Sequence, residues 1–177
     1  MATTKWVLDP THSEVEFKVK HLMISTVTGT FSSFAADVTT EDENFTTAKA
    51  TFTVDVASIN TKNEQRDGHL KAADFFDVAS HPQMKFVLKK IEDVDNDGSF
   101  NIHGDLTLHG ITKSIKLEVE FGGVIKDPWG NTRAGLTVSG KINRKEFGLT
   151  WHMTTDAGGV VLGDDVRIHV ALELVKG

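Results

Sequence analysis

Apolar and polar residues alternate with period two from one end of this chain to the other. Successive side chains of a strand point to opposite faces, so the alternation specifies strands with one buried and one solvated face. In 14–20, Val15, Phe17 and Val19 share a face and charged residues take the other. In 49–56 the inward set is Ala50, Phe52, Val54 and Val56. The same rhythm returns at Met84, Phe86 and Leu88, at Phe100, Ile102, Leu106 and Leu108, and at Ile115, Leu117, Val119 and Phe121. It closes with Leu136, Val138 and Ile142, then with Val166, Ile168, Val170, Leu172 and Leu174. Turn residues separate the runs at Asp97-Gly98, His109-Gly110, Asp127-Pro128-Trp129-Gly130-Asn131 and Gly158-Gly159.

With 26–39 added, about eight strands joined by short turns predict an all-β antiparallel meander. An eight-stranded sheet with one apolar face can close into a barrel, lose its edges and enclose one ligand. A two-sheet sandwich with a solid core is the competing arrangement. Gly104, Gly135 and Gly140, inside strand patterns, favour the coiling and bulges of a barrel, although they also permit close backbone approach in a sandwich.

The 177 residues suit one domain spanning 1–177. Apolar residues at 39% and charged residues at 25% give a globular balance, and no apolar run reaches the roughly 18 residues of a membrane helix. The net charge of -6 comes without a basic stripe, which argues against nucleic acid as a partner. With no cysteine, thiolate metal sites and cysteine nucleophiles are excluded. The start, Met1-Ala2-Thr3-Thr4-Lys5-Trp6, lacks the pattern of a signal peptide. A full-length chain is therefore expected in the cytoplasm, and one whose leader had been removed in the periplasm.

One stretch, 61–82, breaks the β rhythm. Helix formers between Asn60 and Ala73, with Asn60 or Thr61 as the cap, predict one short helix that flanks or crosses a barrel mouth. Gly68 weakens it by about 1 kcal/mol relative to alanine, and Pro82 ends the insertion. Arg66-Asp67-Gly68-His69-Leu70 followed by Phe75-Phe76 sets anion donors beside aromatic surface, a combination suited to a ligand with a polar head and an apolar tail. A helical plug whose phenylalanines complete the core accounts for the same residues.

Other clusters point less clearly to chemistry. Among the histidines, His12, His21, His69, His103, His109 and His152 show no local ligand pair, so a site of three histidines, or of two and a carboxylate, needs separate strands. Asp93 to Gly98 matches the first half of a calcium loop, but position twelve is Gly104 where a glutamate is required, so a tight acidic turn is expected. No Gly-x-Ser-x-Gly elbow is present, and Asp164-Asp165 reads as a solvated turn. Arg133 and Arg144 flank the strand 136–142, where either could face an anion or pair with an acid.

Several ordered motifs together carry a more specific signal: Trp6 to Ser13, Phe17 to His21, Gly29-Thr30-Phe31, Ile59-Asn60-Thr61, Arg66 to Leu70, Asp74 to Val78, Gly104 to Lys113 and Ile142 to Gly148. In this order they resemble the YceI-like family over essentially the whole chain. The resemblance implies a lipocalin-like, eight-stranded antiparallel barrel with a short helical insertion near residues 60–80. It also implies binding of a long-chain amphiphilic lipid, with a polyisoprenoid or isoprenoid quinone favoured, as carrier, sensor or storage protein, and no catalysis. Many members resemble exported periplasmic proteins, a pattern from which this N-terminus departs.

Expected ligand-binding residues are Arg66, His69 and Arg144 for the head and Phe17, Phe31, Phe52, Phe75, Phe76, Phe86 and Phe121 for the tail, with no cofactor and no metal. A homodimer fits the resemblance. The alternatives are a hydrolase or isomerase acting on such a lipid, with His69 or His21 as base and Asp67 orienting it, and a ligand-free structural or stress module.

Overall fold

A computed structural model of the chain describes residues 2–22, 24–73, 75–92, 95, 99–149 and 162–177. Its strands are β1 (Thr3–Leu8), β2 (Glu14–His21), β3 (Ser25–Phe31), β4 (Phe34–Glu41), β5 (Asn44–Asp55), β6 (Ile59–Asn60), β7 (Gln83–Glu92), β8 (Phe100–Leu108), β9 (Ile111–Lys126), β10 (Thr132–Asn143) and β11 (Leu162–Lys176). Helix α1 (Glu64–Lys71) lies between β6 and β7. His152, the Gly158-Gly159 turn and most of the Asp93–Gly98 turn lie outside the described residues.

These segments behave as eight strands, because three are interrupted once along their length. A 3-10 turn at Pro10–His12 divides β1 from β2, Ser32–Ser33 divides β3 from β4, and a 3-10 turn at Val56–Ser58 divides β5 from β6. The halves stay in step: β1 pairs with β4 and β2 with β3, while β5 pairs with β4 and β6 with β3. Polar bonds hold the interruptions together: Asp55 N–H donates to the Ser33 carbonyl at 2.9 Å, and Ser32 N–H to that of Ser58 at 3.4 Å. The stretch 26–39, expected as one strand, is thus two segments joined at a bend.

Every pairing is antiparallel, and β11 closes the ring. Its first part pairs with β2 and its last residues with β1, Trp6 opposite Lys176 and Leu8 opposite Leu174. The expected eight-stranded antiparallel barrel is therefore the observed one. β1 went unread as a strand because its inward set is Thr4, Trp6 and Leu8, in which the buried Thr4 spoils the apolar period. Bulges interrupt the ladder between Gly135 and Leu136 and between Leu88 and Lys90, the latter opposite Gly104. They supply the curvature that closure demands.

The register gives the barrel two distinct ends. One end, the floor, gathers the chain termini and the β4–β5 and β9–β10 turns; its cluster includes Trp6, Phe45, Phe100, Ala134 and Leu174. Trp6 is 1% exposed, its ring lies 4.9 Å from that of Phe45, and its indole Nε1–H donates to the Thr40 hydroxyl at 2.9 Å. The other end, the mouth, gathers the β2–β3 and β8–β9 turns, the 3-10 turn Arg144–Phe147 and the insertion that contains α1.

Candidate functional site

Helix α1 is shorter than expected and capped elsewhere. Asn63, not Asn60 or Thr61, accepts the Arg66 N–H at 3.0 Å. Thr61 has a different task, because its N–H and hydroxyl both donate to Asp67 Oδ1, at 2.9 and 2.5 Å. The same Thr61 hydroxyl accepts from Arg66 Nε at 2.8 Å, and the Thr61 carbonyl accepts from Nη2 at 2.6 Å. Thr61 is buried, so this triad roots an otherwise exposed helix in the barrel rim. Two nitrogens of Arg66 are committed to anchoring, and Nη1 stands outside these bonds. Asp67, expected as an orienting partner for a histidine base, is committed to Thr61 instead.

Beyond α1 the backbone folds tightly back, with Phe76 N–H donating to the Leu70 carbonyl at 3.0 Å and Val78 N–H to that of Lys71 at 3.1 Å. This turn drives Phe75 and Phe76 downward. Phe75 is buried with its ring 5.1 Å from that of His69 and perpendicular to it. Phe76 meets Phe31 edge-on at 6.4 Å and, with Leu70 and Val78, packs on the cluster of Val54, Val56 and Ile59.

Beneath the insertion lies a cavity of about 390 Å³ that runs from the mouth to the floor. At the floor its lining is wholly apolar, formed by such residues as Phe45, Phe100, Leu117, Val119 and Leu174. At the mouth it meets His21, Thr61, Arg66, His69 and Arg144. The other ionisable lining residues, Glu16 and Lys85, hold outward positions in the strand alternation. Space in the middle depends on missing side chains: a Cβ on Gly29 would meet Phe17 Cζ at 2.2 Å, and one on Gly104 would meet Phe86 Cζ at 2.4 Å. Each ring packs directly over a glycine in the wall, in space that a side chain there would take.

Of the expected ligand-binding residues, Phe17, Phe31, Phe52, Phe75, Phe76, Phe86, Arg66, His69 and Arg144 are all brought to this cavity. Phe121 is not among the lining side chains; its ring packs against Phe45 at 5.1 Å, within the floor cluster. An inward position in the alternation serves core and lumen alike, and Phe121 belongs to the core.

The two flanking arginines part company. Arg144 is 2% exposed, and its guanidinium donates to three carbonyls, those of Gly163 at 2.9 Å, Leu149 at 2.5 Å and Leu162 at 3.4 Å. Burial pushes its pKa down, opposed by Asp164 at 3.9 Å. It fastens the 3-10 turn to the start of β11 instead of pairing at the surface. Arg133 does pair with acids: Nε lies 2.7 Å from Asp127, and Nη1 lies 2.9 Å from Asp9 and 3.1 Å from Glu173. Hydrogen bonds from Thr11, His12 and Arg133 hold the Asp9 carboxyl well below its usual range.

The remaining histidines and acids fall into several settings. Exposed His12 lies 2.8 Å from Asp9, whose hydrogen bond and the nearby Glu173 charge raise the imidazole pKa. His103 bonds to Glu92 on the neighbouring strand. Asp164 and Asp165 are largely solvated beside Lys145 and Lys141. His109 sits in the β8–β9 turn, facing His81, which the spacing of the sequence did not single out.

The model of the YceI-like domain matches residues 6–174. UPF0312 proteins of Staphylococcus aureus strains USA300 and NCTC 8325 are 41% identical over 171 residues, covering 96% of this chain and 96% of each relative. The crystal structure of the Campylobacter jejuni YceI protein superposes with a TM-score of 0.77 at 35% identity, covering 89% of this chain and 90% of that one. A polyisoprenoid binding domain from Saccharophagus degradans shares the fold with a TM-score of 0.67 at 16% identity, over 97% of this chain and 98% of that domain.

Proposed function

Because this chain belongs to the YceI-like family, we propose that its barrel carries a long-chain amphiphilic lipid, tail toward the floor and head at the mouth. The observation that supports this reading is the polarity of the cavity, apolar from wall to floor with arginine and histidine groups gathered at one end. The favoured ligand class is a polyisoprenoid or isoprenoid quinone, in line with the polyisoprenoid binding domain that shares the fold. The role is that of a carrier or storage protein, without a catalytic step.

Burial of the tail accounts for the affinity. Each buried carbon group contributes about 0.8 kcal/mol before the costs of association. At roughly 0.3 kcal/mol per heavy atom, a ligand of about forty atoms reaches about 12 kcal/mol, which is nanomolar binding. The head group adds orientation, through His69 and the Nη1 end of Arg66. Arg144, spent on three carbonyls, shapes the rim electrostatically.

Extraction of the purified protein with organic solvent, followed by mass spectrometry, tests the proposal. A long-chain lipid near one per chain is expected. Reproducibly empty extracts, together with no thermal shift on adding polyprenyl lipids, would sink it.

A further inference from the structure

Asp77 and His81, both in the insertion, meet His109 from the β8–β9 turn, and the ligand atoms of the three lie within 4.8 Å of one another. We infer that Asp77, His81 and His109 form a site for a divalent transition metal of the zinc class. All three are half-buried. Two imidazoles and one carboxylate are a donor set that zinc accepts, at about 2.0–2.2 Å per bond, with the fourth position left to water. Tetrahedral donors on one ion lie about 3.4 Å apart, so closure asks the three side chains to draw together by up to about 1.4 Å, within the reach of rotamer adjustment.

The surroundings are arranged as a metal-binding imidazole requires. His109 Nδ1 lies 3.2 Å from the Phe147 carbonyl. A carbonyl only accepts, so Nδ1 carries the proton and Nε2 of the neutral ring keeps its lone pair for a metal. Phe147 is fully buried, and that fixes the ring. The His81 and His109 rings stand 4.9 Å apart at 67°. Each is seated on a glycine with a left-handed backbone: a Cβ on Gly110 would come within 2.7 Å of the His81 ring, and one on Gly148 within 2.9 Å of His109 Nδ1. The Asp77 backbone is itself left-handed, at φ 49°, and its carbonyl accepts the His81 N–H at 2.8 Å, which holds the two ligands of the insertion together.

A second cluster, Asp9, His12 and Glu173, with one imidazole and two carboxylates, separates a metal site from a surface ion network. There the Arg133 guanidinium already bridges Asp9 and Glu173, so an incoming cation would have to displace a fixed one. Among the described residues, no lysine or arginine forms an ion pair with Asp77. A metal in this place would staple the insertion to the barrel wall at the mouth. The assignment stands whether or not the lumen holds a lipid.

Titration of chelator-stripped protein with Zn²⁺, followed by calorimetry and elemental analysis, tests the site. One Zn²⁺ per chain is expected, with affinity lowered at least 10-fold in Asp77→Asn and in His81→Gln and unchanged in His12→Gln. Melting curves without metal establish that each variant is folded. X-ray absorption of the zinc form should show two imidazoles and one carboxylate, and hydrogen exchange of amides 75–81 should slow on binding. Absence of stoichiometric binding, wild-type affinity in folded Asp77→Asn and His81→Gln, or loss confined to His12→Gln would overturn the assignment.

Discussion

Floor and mouth draw on the same kinds of residue and are sealed by different physics. At the floor, Trp6, Phe45 and Phe121 pack in sequence with tilted rings, at separations of 4.9 and 5.1 Å, and a single buried hydrogen bond satisfies the indole. At the mouth, α1 buries none of its residues and is held by Thr61 through Asp67 and Arg66, while Phe75 and Phe76 reach down from the turn behind it. Close-packed apolar surface resists opening because separation loses every contact at once. A segment held by a few hydrogen bonds and two rings can lift with the barrel intact. Under the proposed function, the floor serves stability and the mouth serves exchange of the lipid.

That contrast breaks first at Trp6. Trp6→Ala is expected to cost about 3–5 kcal/mol of global stability, read from urea unfolding, because a fully buried aromatic leaves a cavity its neighbours fill poorly. A loss under about 1 kcal/mol would mean the floor is not the stabilising end.

Gly29→Ala probes the wall between the two ends. The new methyl collides with Phe17, and overpacking of this kind costs about 1–3 kcal/mol. If the ring turns inward, lipid loading falls, as mass spectrometry of extracts would show; unchanged loading would place the tail elsewhere.

At the mouth, Asp67→Ala removes the acceptor of both Thr61 donors. Global stability should fall by only about 1 kcal/mol, while hydrogen exchange of amides 64–78 accelerates. An equal rise across the floor strands would erase the distinction between the ends.

The smallest effect concerns charge on the outer wall. Asp9 and Asp127 have pKa values depressed from 3.8, chiefly by hydrogen bonds from Thr11 and Arg133 respectively. Their stabilisation is present above that value and is lost as pH falls through the folded pKa. His12 is raised from 6.5 by Asp9, so its contribution is complete below 6.5 and disappears as pH climbs through the raised value. Melting temperature against pH should therefore fall on the acid side, and Arg133→Met should flatten that limb. An unchanged acid limb would show the network to be inert.

Much of this architecture was legible in the sequence, because alternation is a one-dimensional record of which face a residue takes. The strands, the place of the insertion and most of the lining phenylalanines followed from it. β1 was missed because Thr4 holds an inward position. Phe121 was misplaced because alternation records inward and not how deep. Arg144 could not be read, since its partners are backbone carbonyls that leave no trace in residue identity. The pairing of Asp77 and His81 with His109 was hidden for a further reason: it joins the insertion to a hairpin turn across 28 positions of sequence, from 81 to 109. The Asp77-x-x-x-His81 spacing beside Pro82 was its only local sign.

The central claim is that tail and head occupy opposite ends, and photo-crosslinking measures this directly. Two polyprenyl phosphates would be bound, one with a diazirine at the tail terminus and one with it beside the head, and the labelled peptides mapped by mass spectrometry. Tail label on β8 and β9 around Phe100, Leu117 and Val119, with head label on the segment holding His69 and Phe75, is the predicted result. The reverse assignment, or the same scattered peptides from both probes, would contradict it.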